Sequence, residues 1–107
     1  MRTPLHYAAE NGSIETVLFL VENKCDVNKK DENGMTPLHY ASINGKLDVI
    51  KLLLNNKANI DATSMDGKTV MHYACESSDY KIVKFFKEHN VDINSKTNVI
   101  FIILKFV

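Results

Sequence analysis

The chain contains no tryptophan, and Arg2 is the only arginine among its 13 cationic residues. Arginine carries the planar fork that phosphates and base edges favour, so this scarcity argues against nucleic-acid recognition. An excess of one charge is also lacking: 13 acidic residues offset the 13 cationic ones, for a formal net charge of +0. No long-range field is left to gather nucleic acid, an anionic membrane or a highly charged substrate, so a partner has to be found by shape and local contacts. Two cysteines, Cys25 and Cys75, are too few for a disulfide-framed secreted scaffold and fit a reducing compartment. No segment approaches the roughly 20 apolar residues of a membrane span, and the opening "MRTPLHYAAENG" has no apolar signal core. These absences predict a cytosolic or nuclear protein with no nucleic-acid and no membrane partner. Phosphate loops, nucleophile elbows, CxxC and HExxH are missing too, so the sequence lends no support to catalysis, a cofactor or a metal centre.

What the chain does have is a period. Thr3, Thr36 and Thr69 stand 33 residues apart, and so do His6, His39 and His72, Tyr7, Tyr40 and Tyr73, and Ala8, Ala41 and Ala74. At 107 residues there is room for a single domain of about three such units, 3–35, 36–68 and 69–101. Each reads as two short helices and a loop. Threonine is a good N-cap, and Pro4 and Pro37 sit where a first-turn proline forfeits no hydrogen bond. Gly12 and Gly45 then permit the left-handed turn that ends the first helix. The second helix follows in "IETVLFLVEN", "LDVIKLLLNN" and "YKIVKFFKEH", with apolar residues three and four apart. Behind it, "CDVNKKDENGM" and "ANIDATSMDGK" have the Asn, Asp and Gly content of turns or hairpin-like loops. A helix pair of this size cannot bury its own apolar faces and is stabilised by stacking on a neighbour.

The 33-residue period and the "TPLHYA" at Thr3 and Thr36, weakened to "TVMHYA" at Thr69, resemble the ankyrin repeat, as does Asp31-Glu32-Asn33-Gly34 before the second copy. The resemblance covers nearly the whole chain. It implies an all-α repeat solenoid, residues 1–101 forming the repeat domain and 102–107 a truncated, degenerate fourth repeat. It also implies that each Thr and His pair, together with Pro4, Leu5, Pro37 and Leu38, is structural, the Thr hydroxyl and His ring bonding to each other and to neighbouring backbone. A catalytic histidine would need one specific set of neighbours, whereas these recur with the solenoid, about one repeat apart and too far to share a metal. Cys75 holds the slot of Ala9 and Ser42, and Cys25 that of Ala58, so both read as small-residue packing positions.

The resemblance further implies a non-catalytic module that binds another protein, of unknown identity, through a concave helix face and the loop tips. The loop positions are Glu32, Asn33 and Met35, then Met65, Asp66 and Lys68. From the first helices come Tyr7, Glu10 and Asn11, then Tyr40, Ile43 and Asn44, then Tyr73, Glu76 and Ser77. Met35, Met65 and Ile43 are apolar where a solvated surface is more often polar, which makes them adhesive candidates beside the tyrosine column. Each tyrosine either meets a partner or packs on the adjoining repeat.

Departures from the pattern carry a second reading, in which the partner is further repeats of the same array. Leu18 stands where the other units have Lys51 and Lys84, so it either presses on something N-terminal or is exposed. Lys24, Lys57 and Asn90 replace the glycine expected after the second helix, which strains lysine if a positive φ is kept. Val70 replaces a proline, Ser78 a glycine, and Lys87 an apolar residue, so stability should fall toward the C-terminus. The closing "VIFIILKF" is apolar and rich in β-formers, an aggregation hazard if exposed. The chain thus reads equally as a fragment or shortened gene product and as a small complete protein.

Overall fold

Among the described residues six helices form, the first of each pair from a cap that the sequence announces. In the computed structural model, which describes residues 1–77 and 80–88, they are α1 (Pro4–Asn11), α2 (Ile14–Glu22), α3 (Pro37–Ile43), α4 (Leu47–Asn55), α5 (Val70–Glu76) and α6 (Tyr80–Glu88). Thr3, Thr36 and Thr69 each cap a first helix, accepting from the backbone N–H of His6, His39 and His72. The capping box is closed in an unusual way. Glutamate or glutamine usually reaches back from the third helical position, but here imidazole Nδ1 does so, accepting from the threonine amide at 2.9, 2.9 and 2.8 Å. Val70 replaces proline without moving the helix start, because the cap sets the boundary.

Glycine ends the first helix where a left-handed residue is needed: Gly12 has φ 75° and its N–H returns to the carbonyls of Ala8 and Ala9. After α2 and α4 the same role falls to lysine. Lys24 (φ 62°) and Lys57 (φ 70°) hold positive φ, because Cys25 and Ala58 donate back to the Leu20 and Leu53 carbonyls at 3.2 and 3.0 Å, closing a Schellman turn. The strain expected at these two lysines is present, at roughly 1–2 kcal/mol for a side chain forced left-handed.

The pairs stack in chain order, α1 on α3 and α3 on α5, with α2 on α4 behind them. The core repeats with the sequence: Leu5, Leu38 and Met71; Ala8, Ala41 and Ala74; Val17, Ile50 and Val83 are all buried. Each large member is worth about 1.5–3 kcal/mol when covered, and the cover comes from the next unit. Cys75 is buried and Cys25 half-buried against this core, in the packing slots expected for them, and both are free thiols. The loops close on themselves, Asp31 N–H to Met35 carbonyl at 2.9 Å and Ser64 N–H to Lys68 carbonyl at 2.9 Å. Expectations for Ser78, Asn90 and the 99–107 tail, including the truncated fourth repeat at 102–107, lie outside the described residues.

Candidate interaction face

The Thr and His pairs lock the first helices to the loops. A backbone N–H can only donate, so Nδ1 of His6 and His39 is an acceptor and Nε2 carries the proton. Nε2 then donates to a carbonyl one loop further on, Met35 at 2.8 Å from His6 and Lys68 at 3.3 Å from His39. Both rings are fully buried, and burial holds His39 below its ordinary value. With both nitrogens committed, these imidazoles are fixtures that tie helix cap to loop. Among the described residues no group of three His, Cys, Asp or Glu side chains is placed to hold a metal ion.

The tyrosine column packs between repeats. The Tyr40 ring meets His6 edge-on at 5.7 Å and the Tyr73 ring meets His39 at 5.5 Å. The Tyr40 hydroxyl donates to the buried Asp31 carboxylate, which also accepts from the Asn33 and Met35 amides at 2.8 and 2.9 Å. Burial pushes Asp31 up, but these donors outweigh it and hold the carboxyl below the usual range. Burial and the bond to Asp31 push the Tyr40 phenol up to about 12. In the next loop Ser64 replaces Asp31 and accepts from the Tyr73 hydroxyl at 2.9 Å.

Arg2 completes the first junction. Its guanidinium lies 4.1 Å from the centroids of both Tyr7 and Tyr40 and 3.0 Å from Glu10. In register, Lys68 pairs with Glu76 at 2.6 Å and lies over the Tyr73 ring at 5.6 Å. The middle unit carries Met35 and Ile43 at these two positions, so an apolar pair stands between two ion pairs. Met35 is only 7 % exposed. This corrects the expectation for Met35: the slot that Arg2 fills beside the tyrosines receives a thioether one repeat later, and desolvation draws it inward. Tyr40 and Tyr73 are half-buried, with packing as their main role; Tyr7, at the end of the column, is 50 % exposed.

The loop tips form a ladder. Met65 N–H donates to Asn33 carbonyl at 2.9 Å, Lys30 Nζ to Thr63 carbonyl at 3.1 Å, and Asn28 Nδ2 to Lys57 carbonyl at 3.1 Å. Gly34 permits the approach, since a Cβ there would lie 2.8 Å from Met65 N. At the tips Glu32, Asn33 and Asp66 are exposed and Met65 is 76 % exposed. On the helix face Ile43 is 36 % exposed, Asn44, Glu76 and Ser77 are exposed, and Lys68 is half-buried.

A family model of ankyrin repeats, in three copies, matches residues 5–97. This chain belongs to the ankyrin repeat family. No curated protein matches it. Ankyrin repeats are in general protein-interaction modules and in general non-catalytic. No described helix of this ankyrin chain is long and apolar enough to cross a membrane. Sequence reasoning missed two residues of the face, Arg2 and Asp31. Arg2 was readable as the register mate of Met35 and Lys68; the role of Asp31 needed the partner tyrosine from the next helix.

Proposed function

We propose that this ankyrin domain binds another protein through the loop tips and the adjoining face of α1, α3 and α5, without catalysis, in a reducing cytosolic or nuclear compartment. The observation that supports it most is Met65: a methionine left 76 % exposed at a loop tip whose backbone N–H is bonded to the preceding loop. A preorganised apolar side chain loses little entropy on contact, and methionine adapts to the surface it meets. Glu32, Asn33 and Asp66 around it supply a polar rim, and Ile43, Asn44, Glu76 and Ser77 extend the contact onto the helices, with Tyr40, Lys68 and Tyr73 holding the surface in shape. The two free cysteines support the reducing compartment.

The test is affinity capture from cell extract with the wild-type domain and with Met65→Ser, Ile43→Lys as the control, followed by calorimetry on the purified partner. A partner that binds wild type and loses at least about tenfold affinity to the doubly substituted domain, about 1.4 kcal/mol, is expected. Partners retained equally by both domains would refute this assignment of the face.

A further inference from the structure

The formal net charge of +0 conceals a sorting of charge by the fold. On the face of loop tips and first helices stand Glu10, Glu32, Asp66 and Glu76, with Arg2 and Lys68 as the cations in register among them. Both cations are folded inward, Arg2 over the Tyr7 and Tyr40 rings and Lys68 over Tyr73. In each ion pair the carboxylate is the outer member: the Arg2 side chain is 22 % exposed and Glu10 35 %, Lys68 38 % and Glu76 48 %. Lys30, at the edge of the loops, is bonded to the Thr63 carbonyl at 3.1 Å. Glu32 is 70 % exposed, and the amino group of Met1, 3.9 Å away and 99 % exposed, forms with it a solvent-screened pair. The second helices and the turns that end them differ. There Lys24, Lys51, Lys57, Lys81, Lys84 and Lys87 outnumber Glu15, Glu22, Asp48 and Glu88. A protein neutral as a whole thus presents carboxylates in front and lysines behind.

Apolar side chains interrupt the carboxylates at one-repeat intervals. Ile43 takes the position of Glu10 and Glu76 in the middle unit, and Met65 takes that of Glu32 in the next loop; both are exposed. Met65 precedes Asp66, and its N–H is bonded to the carbonyl of Asn33, the neighbour of Glu32. Such a surface repels nucleic acid and anionic membranes, and suits cations carried on aliphatic stems. We propose that the partner is a basic segment of another protein, which sets lysine or arginine against Glu32 and Asp66 and an apolar side chain on Met65. This rests on the protein-binding role proposed for the face and adds the chemistry of the partner.

The probe is a random peptide library selected on the folded full chain, with enriched peptides resynthesised for fluorescence anisotropy. Those peptides should be cationic relative to the library and carry an apolar residue beside lysine or arginine. Their affinity should fall at least about tenfold for Glu32→Gln, Asp66→Gln, and about threefold from low to physiological salt. Lys84→Gln, Lys87→Gln, on the lysine-rich side, should change it by less than about twofold, since charges beyond a Debye length of about 8 Å are screened. All four positions are exposed, and unchanged melting midpoints confirm the fold. Peptides with no cationic excess, or cationic ones indifferent to Glu32→Gln, Asp66→Gln, overturn the basic partner. If they still lose affinity to Met65→Ser, Ile43→Lys, the face itself stands as a binding surface; indifference to both pairs refutes the face as well. A library that yields no binder overturns the proposal, because a short segment would then not suffice. So does self-association of the unaltered chain that Glu32→Gln, Asp66→Gln abolishes, since the lysines of a second copy would then be the occupant.

Discussion

Replacing His39 with alanine removes a ring that is 0 % exposed and serves two separate parts of the fold. Its Nδ1 satisfies the Thr36 amide at 2.9 Å, the first orphan donor of α3, and its Nε2 reaches the Lys68 carbonyl at 3.3 Å in the next loop. Thr36 is itself 1 % exposed, so water cannot easily take the place of Nδ1. A buried backbone group stripped of its partner costs about 1–3 kcal/mol. The Lys68 carbonyl lies nearer solvent and adds less, so the total is roughly 2–5 kcal/mol. Against a typical whole-domain stability of about 5–15 kcal/mol, this predicts a melting midpoint lower by about 10–30 °C. His72→Ala is the internal control: it removes the same capping box around Thr69, but both residues are half-buried, so water can compensate and at most about half the loss is expected. Urea titration followed by far-ultraviolet circular dichroism measures both, with an unchanged slope certifying that the transition is the same. A loss under about 1 kcal/mol for His39→Ala, or one equal to that of His72→Ala, would refute the claim that this ring ties one repeat to the next.

Acid should weaken the fold in the histidine range, because burial holds both His39 and His72 below their ordinary 6.5. A depressed folded value leaves their contribution complete above pH 6.5 and removes it as pH falls through the folded values. The urea midpoint should then be level from about pH 8 to 7 and fall below about 6.5, and a midpoint that rose on acidification would contradict it. Asp31, also held below its ordinary 3.8, adds a further loss once pH drops below that value. Lys57→Gly relieves a left-handed lysine and should raise stability by about 0.5–1 kcal/mol. Gly34→Ala should lower it by more than about 1 kcal/mol, since φ is +74° and the new Cβ would meet Met65 N at 2.8 Å. Thermal melts of the two variants should move in opposite directions. In an alkaline absorbance titration read as the difference from Tyr40→Phe, the Tyr40 step should fall near 12 and Asp31→Asn should bring it back toward 10; a Tyr40 step near 10 in the unaltered chain would remove the buried bond.

What the letters determined here was local and periodic. A threonine three residues ahead of a histidine fixes where a helix begins, a glycine or a strained lysine fixes where it ends, and 33-residue spacing fixes what stacks on what. The bonding of the histidines was implied by the family resemblance, but the other signals need only the chain's own neighbours, which is why the helix pairs were legible, and with them the places after α2 and α4 where a kept positive φ would strain lysine. Burial was not, because it depends on what the adjoining repeat presents. Met35 and Met65 look alike in sequence, yet one is drawn into the slot beside the tyrosines and the other stands out from a loop tip. Tyr7 and Tyr40 share a motif, but Tyr40 packs on His6 of the first unit while Tyr7 is half exposed. Phe19 and Phe85 share a register, yet Phe85 is buried with Lys51 of α4 over its ring while Phe19 is largely exposed. In a stacked array the sequence specifies each unit's apolar faces, and the tertiary structure alone decides which of them meet a neighbour, since desolvation is a property of the pair and not of the residue.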